Sequence, residues 1–276
     1  MGLRIYNNVE AQNAHRQLST TTTALSKTME RLSSGMRINR AADDAAGLAV
    51  SEEMRTQIRG MNVAARNALD GVSLVQVADG ALGGVNDMLQ RVRDLAVQAS
   101  NGTLTDLQRG NLDQEVQSVM AEIARVASDT EFNGIKILSG SVATAASAVT
   151  LQVGPNNSQT ISFTVATMTA SDLGISGLSV STAASASAAI ASIDAAIRTV
   201  NSQRASMGAI QNRLEQTISR LELTAENLQA AESRIRDADM AEEMIALTKS
   251  QILQQSGTAM LAQANQLPQG ILQLLG

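Results

Sequence analysis

Apolar residues recur at every seventh position over two long stretches. From Met54 the series runs Met54, Met61, Ala68, Val75, Leu82, Leu89 and Ala96, with Val85, Val92 and Ala99 filling the intervening positions. From Ala186 it runs Ala186, Ile193, Val200, Met207, Leu214, Leu221, Leu228 and Ile235. A shorter series joins Leu112, Val116, Val119, Ile123 and Val126. This spacing draws one narrow apolar stripe down a helix, the seam along which helices pack side by side. Three such stripes predict a mainly α fold, an elongated antiparallel helical bundle or coiled coil. The two ends carry sparser stripes. Leu18, Leu25 and Leu32, interleaved with Thr22, Met29 and Met36, mark an N-terminal helix, and Met240, Met244, Leu247, Ile252, Leu253, Met260, Leu261 and Leu267 mark a C-terminal one. Isolated helices are marginal in water and draw their stability from packing an apolar face. The two ends are therefore expected either to pair with each other or to stay disordered, loose in the monomer and ordered only between subunits. Residues 250–276 contain no Asp, Glu, Lys or Arg, which favours burial in an assembly over a free tail.

Polar residues punctuate this pattern. Thr105 with Gln108 reads as a capping box opening a helix over 106–128, and Asp239 with Glu242 reads as a similar restart after Ile235. Asp43 and Asp44 suit the first turn of a helix starting at residue 44, where the macrodipole favours acids. Gly60, Gly71, Gly80, Gly83 and Gly84 fall inside the long helical pattern, and each costs about 1 kcal/mol relative to Ala. Such a helix depends on its packing partners. Between 137 and 193 the only charged residue is Asp172. There Val149, Leu151 and Val153, then Ile161, Phe163 and Val165, alternate apolar with polar around Gly154–Gln159, which predicts a β-hairpin within about 137–183.

Composition narrows the function. Aromatic residues make up 1 % of the chain, and the apolar fraction of 44 % is chiefly Ala, Leu, Val, Ile and Met, side chains suited to thin helix seams. A net charge of −5 lacks the basic balance of a nucleic-acid binder. With no cysteine there is no disulfide or thiolate metal site. The N-terminal residues lack the apolar core and cleavage site of a secretory signal. The repeated glutamines of 250–276 argue against membrane insertion. No phosphate loop, dinucleotide fingerprint, metalloprotease pair or nucleophile elbow occurs, and His15 is the only histidine, so neither an enzyme nor a cofactor is expected. Glu52-Glu53, Glu242-Glu243 and Arg234/Arg236 read as solvated faces or inter-subunit ion pairs, and the methionines at helical spacing read as core.

Residues 32–60, LSSGMRINRAADDAAGLAVSEEMRTQIRG, resemble the N-terminal signature of bacterial flagellins. ASDTEFNGIKILSG (127–140) resembles the strand entry that follows in that family, and SQRASMGAIQNRLE (202–215) and the block 225–276 are flagellin-like almost residue for residue. The likeness covers about 1–140 and 190–276, in the family's order. It implies a structural subunit that polymerises into the bacterial flagellar filament for motility. Residues 1–42 and 236–276 would form the inner helical tube and 43–235 the surrounding bundle domain with its β-hairpin. Leu18, Leu25, Leu32, Met244, Ile252, Met260 and Leu267 would carry the inter-subunit contacts. The short central segment leaves no room for the family's variable outer domains. The resemblance further implies secretion through the flagellar export apparatus, a flagellin chaperone on the C-terminal segment from about 235, and hook–filament junction and cap proteins as partners. LQRVRDLAVQASNGT (89–103) is similar to the surface read by the flagellin-sensing Toll-like receptor, with Leu89, Arg91, Leu95 and Glu115 as the matching residues. Arg91 and Glu115 are expected first of all to bind a neighbouring subunit. Two rival readings stand beside this one. A hook–filament junction protein shares the terminal logic but not the C-terminal block. A coiled-coil signalling hairpin predicts heptads through the centre and a membrane anchor.

Overall fold

The computed structural model describes residues 8–144 and 146–275, with side chains up to residue 266. Among these residues lie five helices: α1 (Val9–Ser34), α2 (Ala45–Ala99), α3 (Asp106–Asp129), α4 (Ala183–Arg236) and α5 (Met240–Leu275). Two antiparallel hairpins separate α3 from α4, β1 (Glu131–Phe132) with β2 (Ile135–Lys136) and β3 (Val149–Gln152) with β4 (Thr160–Phe163). The chain divides into two compact units, Met1–Thr56 with Asn227–Gly276, and Gln57–Glu226.

The Gln57–Glu226 unit is built on the heptad seams. On α2, every seam residue from Met61 to Ala99 is buried, and on α4 the seam is buried from Ala186 to Leu221. Met54, Leu228 and Ile235 are only half-buried, so the core ends inside both heptad runs. Arg93 pairs with Asp194 and Arg204 with Asp79, so residue numbers fall on α2 as they rise on α4, and the two helices run antiparallel. Arg91 to Glu115, with Arg109 to the Ala99 carbonyl, sets α3 antiparallel to α2 in the same way. Val116, Met120, Ile123 and Ala127 turn the inner face of α3 onto this core, and Ile137, Leu138, Met168 and Ile175 from the irregular segment are buried in it as well. The capping box at Thr105 is formed in both directions with Gln108.

The β3–β4 hairpin forms where alternation predicts it, with Val149 opposite Phe163 and Gln152 opposite Thr160. Two helical glycines make its seat. A Cβ on Gly60 would lie 2.8 Å from Cβ of Pro155, and one on Gly71 would lie within van der Waals overlap of the Leu151 methyl. Asn67 Nδ2 donates to the Gln152 carbonyl at 3.1 Å between them. The smaller β1–β2 hairpin lies just before the predicted β segment. Its turn, Asn133-Gly134, has positive φ at both residues (51° and 78°), the geometry that Asn-Gly favours in two-residue hairpin loops. Asp44 is corrected from a first-turn residue to the cap of α2: it precedes the helix and accepts from the Gly47 amide at 2.9 Å.

Candidate functional site

In the unit formed by the chain ends, α1 and α5 pack against each other. Asn8 Nδ2 donates to the Ala264 carbonyl at 2.8 Å, and Arg31 pairs with Glu243 at 3.1 Å, so the pair is antiparallel. The covered stripe of α1 is Ala11, Ala14, Leu18, Thr21, Leu25, Thr28 and Leu32. On α5 it is Glu243, Leu247, Ser250, Gln254, Gly257, Leu261 and Ala264. Both keep the alternating three- and four-residue steps of a helix seam. Small and hydroxylated residues alternate with leucines in this seam: a Cβ on Gly257 would lie 3.3 Å from the Leu18 methyl. The residues that alternate with the leucines of α1 are thus Thr21 and Thr28, both buried, rather than Thr22 and Met29, which face outward. One residue along a helix is a turn of about 100°, enough to take Thr22 and Met29 off the stripe.

Thr20, Thr21, Thr22 and Thr23 each donate a side-chain hydroxyl to the carbonyl four residues earlier, at 2.9 to 3.0 Å. Each hydroxyl is therefore satisfied within its own helix.

The outer side of α5 exposes large apolar residues among polar ones. Met244 is 48 % exposed, Ile252 58 % and Met260 65 %, together with Ile245, Leu253 and Met240. Leu18, Leu25 and Leu32 instead lie half-buried in the α1–α5 seam, and the side chain of Leu267 is outside the described residues. The methionines thus divide. Met61, Met120, Met168 and Met207 are core, whereas Met29, Met240, Met244 and Met260 face outward.

The segment between α1 and α2 is tied to the α4–α5 junction. The amide of Arg37 donates to the Arg236 carbonyl at 2.7 Å, that of Ala238 donates to the Gly35 carbonyl at 3.0 Å, and Ile38 is buried beneath. Gly35 ends α1 in the left-handed conformation, φ 70°, as a helix C-cap favours. Lys27 pairs with Asp43 at 2.7 Å. That ammonium, helped by the amides of Arg40 and Asn39, holds the Asp43 carboxyl down at about 2. Arg236, buried, bonds Glu52 and lowers its carboxyl, with Arg55 adding to the effect. Arg236 and Glu52 are therefore not a solvated face. They are a bridge within the chain, because α4 ends against the first turns of α2.

In the other unit, Leu89 and Leu95 are fully buried in the α2 seam, while Arg91 and Glu115 form an outward ion pair with Nε 3.0 Å from Oε1. Among these four residues, a partner can reach the polar atoms of Arg91 and Glu115 alone. Among the described residues there is no group of three or more His, Cys, Asp or Glu able to hold a metal ion, and no helix long and apolar enough to cross a membrane.

The family profile of the bacterial flagellin N-terminal helical region matches residues 5–143, and that of the bacterial flagellin C-terminal helical region matches 190–275. The chain is 48 % identical to the flagellar filament 33 kDa core protein of Treponema phagedenis, over 98 % of this chain and 99 % of that one. It is 48 % identical to the flagellin of Bacillus subtilis over 99 % of this chain and all of the other. Among solved structures, Bacillus cereus flagellin is 32 % identical, with a TM-score of 0.49, covering 60 % of this chain and 94 % of that one. The chain belongs to the bacterial flagellin family.

Proposed function

We propose that this protein is the structural subunit of a bacterial flagellar filament, joined to its neighbours chiefly through α1 and α5. The observation that carries this reading is the set of large apolar residues left exposed on α5. Met244, Ile245, Ile252 and Met260 stand between 48 % and 70 % exposed on a helix whose inner face is already occupied. Covering the half to two thirds of each side chain that is still exposed gains roughly 1–2 kcal/mol apiece, a drive towards association. Residues 1–42 and 236–276 then form the inner tube and 43–235 the surrounding layer, and the role is structural rather than enzymatic. The subunit leaves the cell through the flagellar export apparatus, bound beforehand by a chaperone along residues from about 235, and joins a filament ended by the junction and cap proteins. The outward Arg91–Glu115 pair serves a neighbouring subunit first and an innate immune receptor second.

Seeded polymerisation tests the reading. Deleting 250–276, or the milder Ile252→Ser with Met260→Ser, should leave a soluble helical protein that no longer elongates filament seeds. Normal elongation by both variants would remove α5 from the contact. For the receptor, Arg91→Ala with Glu115→Ala should weaken signalling in a reporter cell while leaving the helical content unchanged; undiminished signalling would exclude this surface.

A further inference from the structure

Within the Gln57–Glu226 unit, a groove of about 800 Å³ runs between the β3–β4 hairpin, α2 and α4. Arg213 and Arg220 line it, and none of its lining residues is acidic. Both arginines are exposed, and among the described residues neither makes an ion pair, although most other arginines of this unit do. They stand seven residues apart on one face of α4, about 10.5 Å along the axis. The groove walls supply amide and hydroxyl groups, among them Gln216 and Thr224. Such a site fits two carboxylates held at the same pitch on a protruding ridge.

The same unit carries such a ridge elsewhere. Asp87 and Asp94 on α2 are exposed, make no ion pair among the described residues and are also seven residues apart. Each lies two positions from a buried seam residue, Leu89 or Val92, which places it about 200° around the helix, on the crest. Glu215 and Glu222 repeat the spacing on α4. Each follows the buried Leu214 or Leu221 by one position, about 100° around, so they occupy a flank and not a crest. Glu215 moreover accepts from Gln211 at 2.9 Å.

We infer that the groove of one subunit receives the Asp87–Asp94 crest of a second copy, pairing Arg213 and Arg220 with the two aspartates. This rests on the filament reading above and specifies one of its lateral contacts. The two patches differ, so the contact is heterologous. A heterologous contact that does not close on itself propagates, as a filament requires. Among the described residues none of the four makes an ion pair, although Asp87 and Asp94 add their charge to the surroundings of Arg204 and Arg93, so helical content is read alongside every charge change.

Seeded elongation with full-length protein tests the pairing. Arg213→Glu with Arg220→Glu should raise the critical concentration roughly tenfold, the change made by about 1.4 kcal/mol. Adding Asp87→Arg and Asp94→Arg in the same chain should bring it back towards wild type, with circular dichroism showing unchanged helical content throughout. Elongation of the reversal variant at the wild-type critical concentration would overturn the pairing and leave the filament reading intact. Loss rescued by Glu215→Arg with Glu222→Arg, or not rescued by the aspartate changes, would overturn it too. Failure of the wild-type chain to elongate would instead sink the filament reading itself.

Discussion

Asp43 shows what single side chains contribute to the joint between α1 and α2. Its folded value, about 2, lies below the ordinary 3.8. A carboxyl depressed by folding stabilises the native state above its unfolded value, and that stability is lost as pH falls through the folded one. The Lys27–Asp43 pair should therefore hold at neutral pH and release between pH 3.8 and about 2, with Glu52 shifted in the same direction by Arg236. Carbon-detected NMR titration of the carboxyls checks this, and an ordinary midpoint for Asp43 would refute it. Arg109 is a second such residue. It is 8 % exposed and donates to the carbonyls of Ala99 and Asn101 while pairing with Asp106. Arg109→Ala leaves the end of α2 unpartnered and should cost about 2–3 kcal/mol in denaturant unfolding. Neither role was readable from residue type. Arg109 falls on the inner stripe of a helix whose apolar spacing was clear, but only the fold reveals that its guanidinium closes the preceding turn. Arg236 likewise looked like surface charge because its partner, Glu52, is distant in sequence.

At the scale of elements, α2 and α4 were legible from their heptads because large apolar residues fill nearly every seam position. Leu82→Ala or Leu89→Ala should accordingly cost about 2–5 kcal/mol, since both are fully buried. The α1–α5 pairing could be guessed only in outline: its seam uses Thr21, Thr28, Gly257 and Ala264, residues that hydropathy does not single out. The β3–β4 hairpin was visible in its alternation, whereas β1–β2, with two residues a side, is too short to show a period and announced itself only by Asn133-Gly134. The helical glycines separate by their surroundings. Gly60→Ala presses on Pro155, a rigid neighbour, and should loosen the hairpin, seen as faster amide exchange at Gln152 and Thr160. Gly80→Ala meets nothing within 4 Å and should stabilise the unassembled protein by up to about 1 kcal/mol. Equal melting shifts of one sign for both variants would contradict this account.

For the whole molecule, the two units rest on different physics. The Gln57–Glu226 unit has a continuous, fully buried core, whereas the chain-end unit has a thin, mostly half-buried seam of leucines alternating with small residues, and exposes large apolar residues on α5. Local opening is easiest where few apolar groups are buried. Hydrogen exchange of the unassembled protein should therefore be fast in α1 and α5 and slow at Leu82–Ala96, and polymerisation should slow the former while barely changing the latter. Uniform protection before assembly would exclude this division. The family membership and the outline of the two terminal helices followed from the chain's own motifs. The orientation of α5's apolar side did not, since the choice of inner face depends on which small residues meet α1.

The threonine run of α1 has a consequence for water. Extended, Thr20–Thr23 expose four hydroxyls to solvent and keep the segment hydrated. Coiled, each hydroxyl turns back onto its own backbone, and what remains to be shown is methyl, outward at Thr20, Thr22 and Thr23 and into the seam at Thr21. The wettability of this stretch is thus set by conformation rather than composition: the same residues resist clumping as a loose thread and dry readily as a helix.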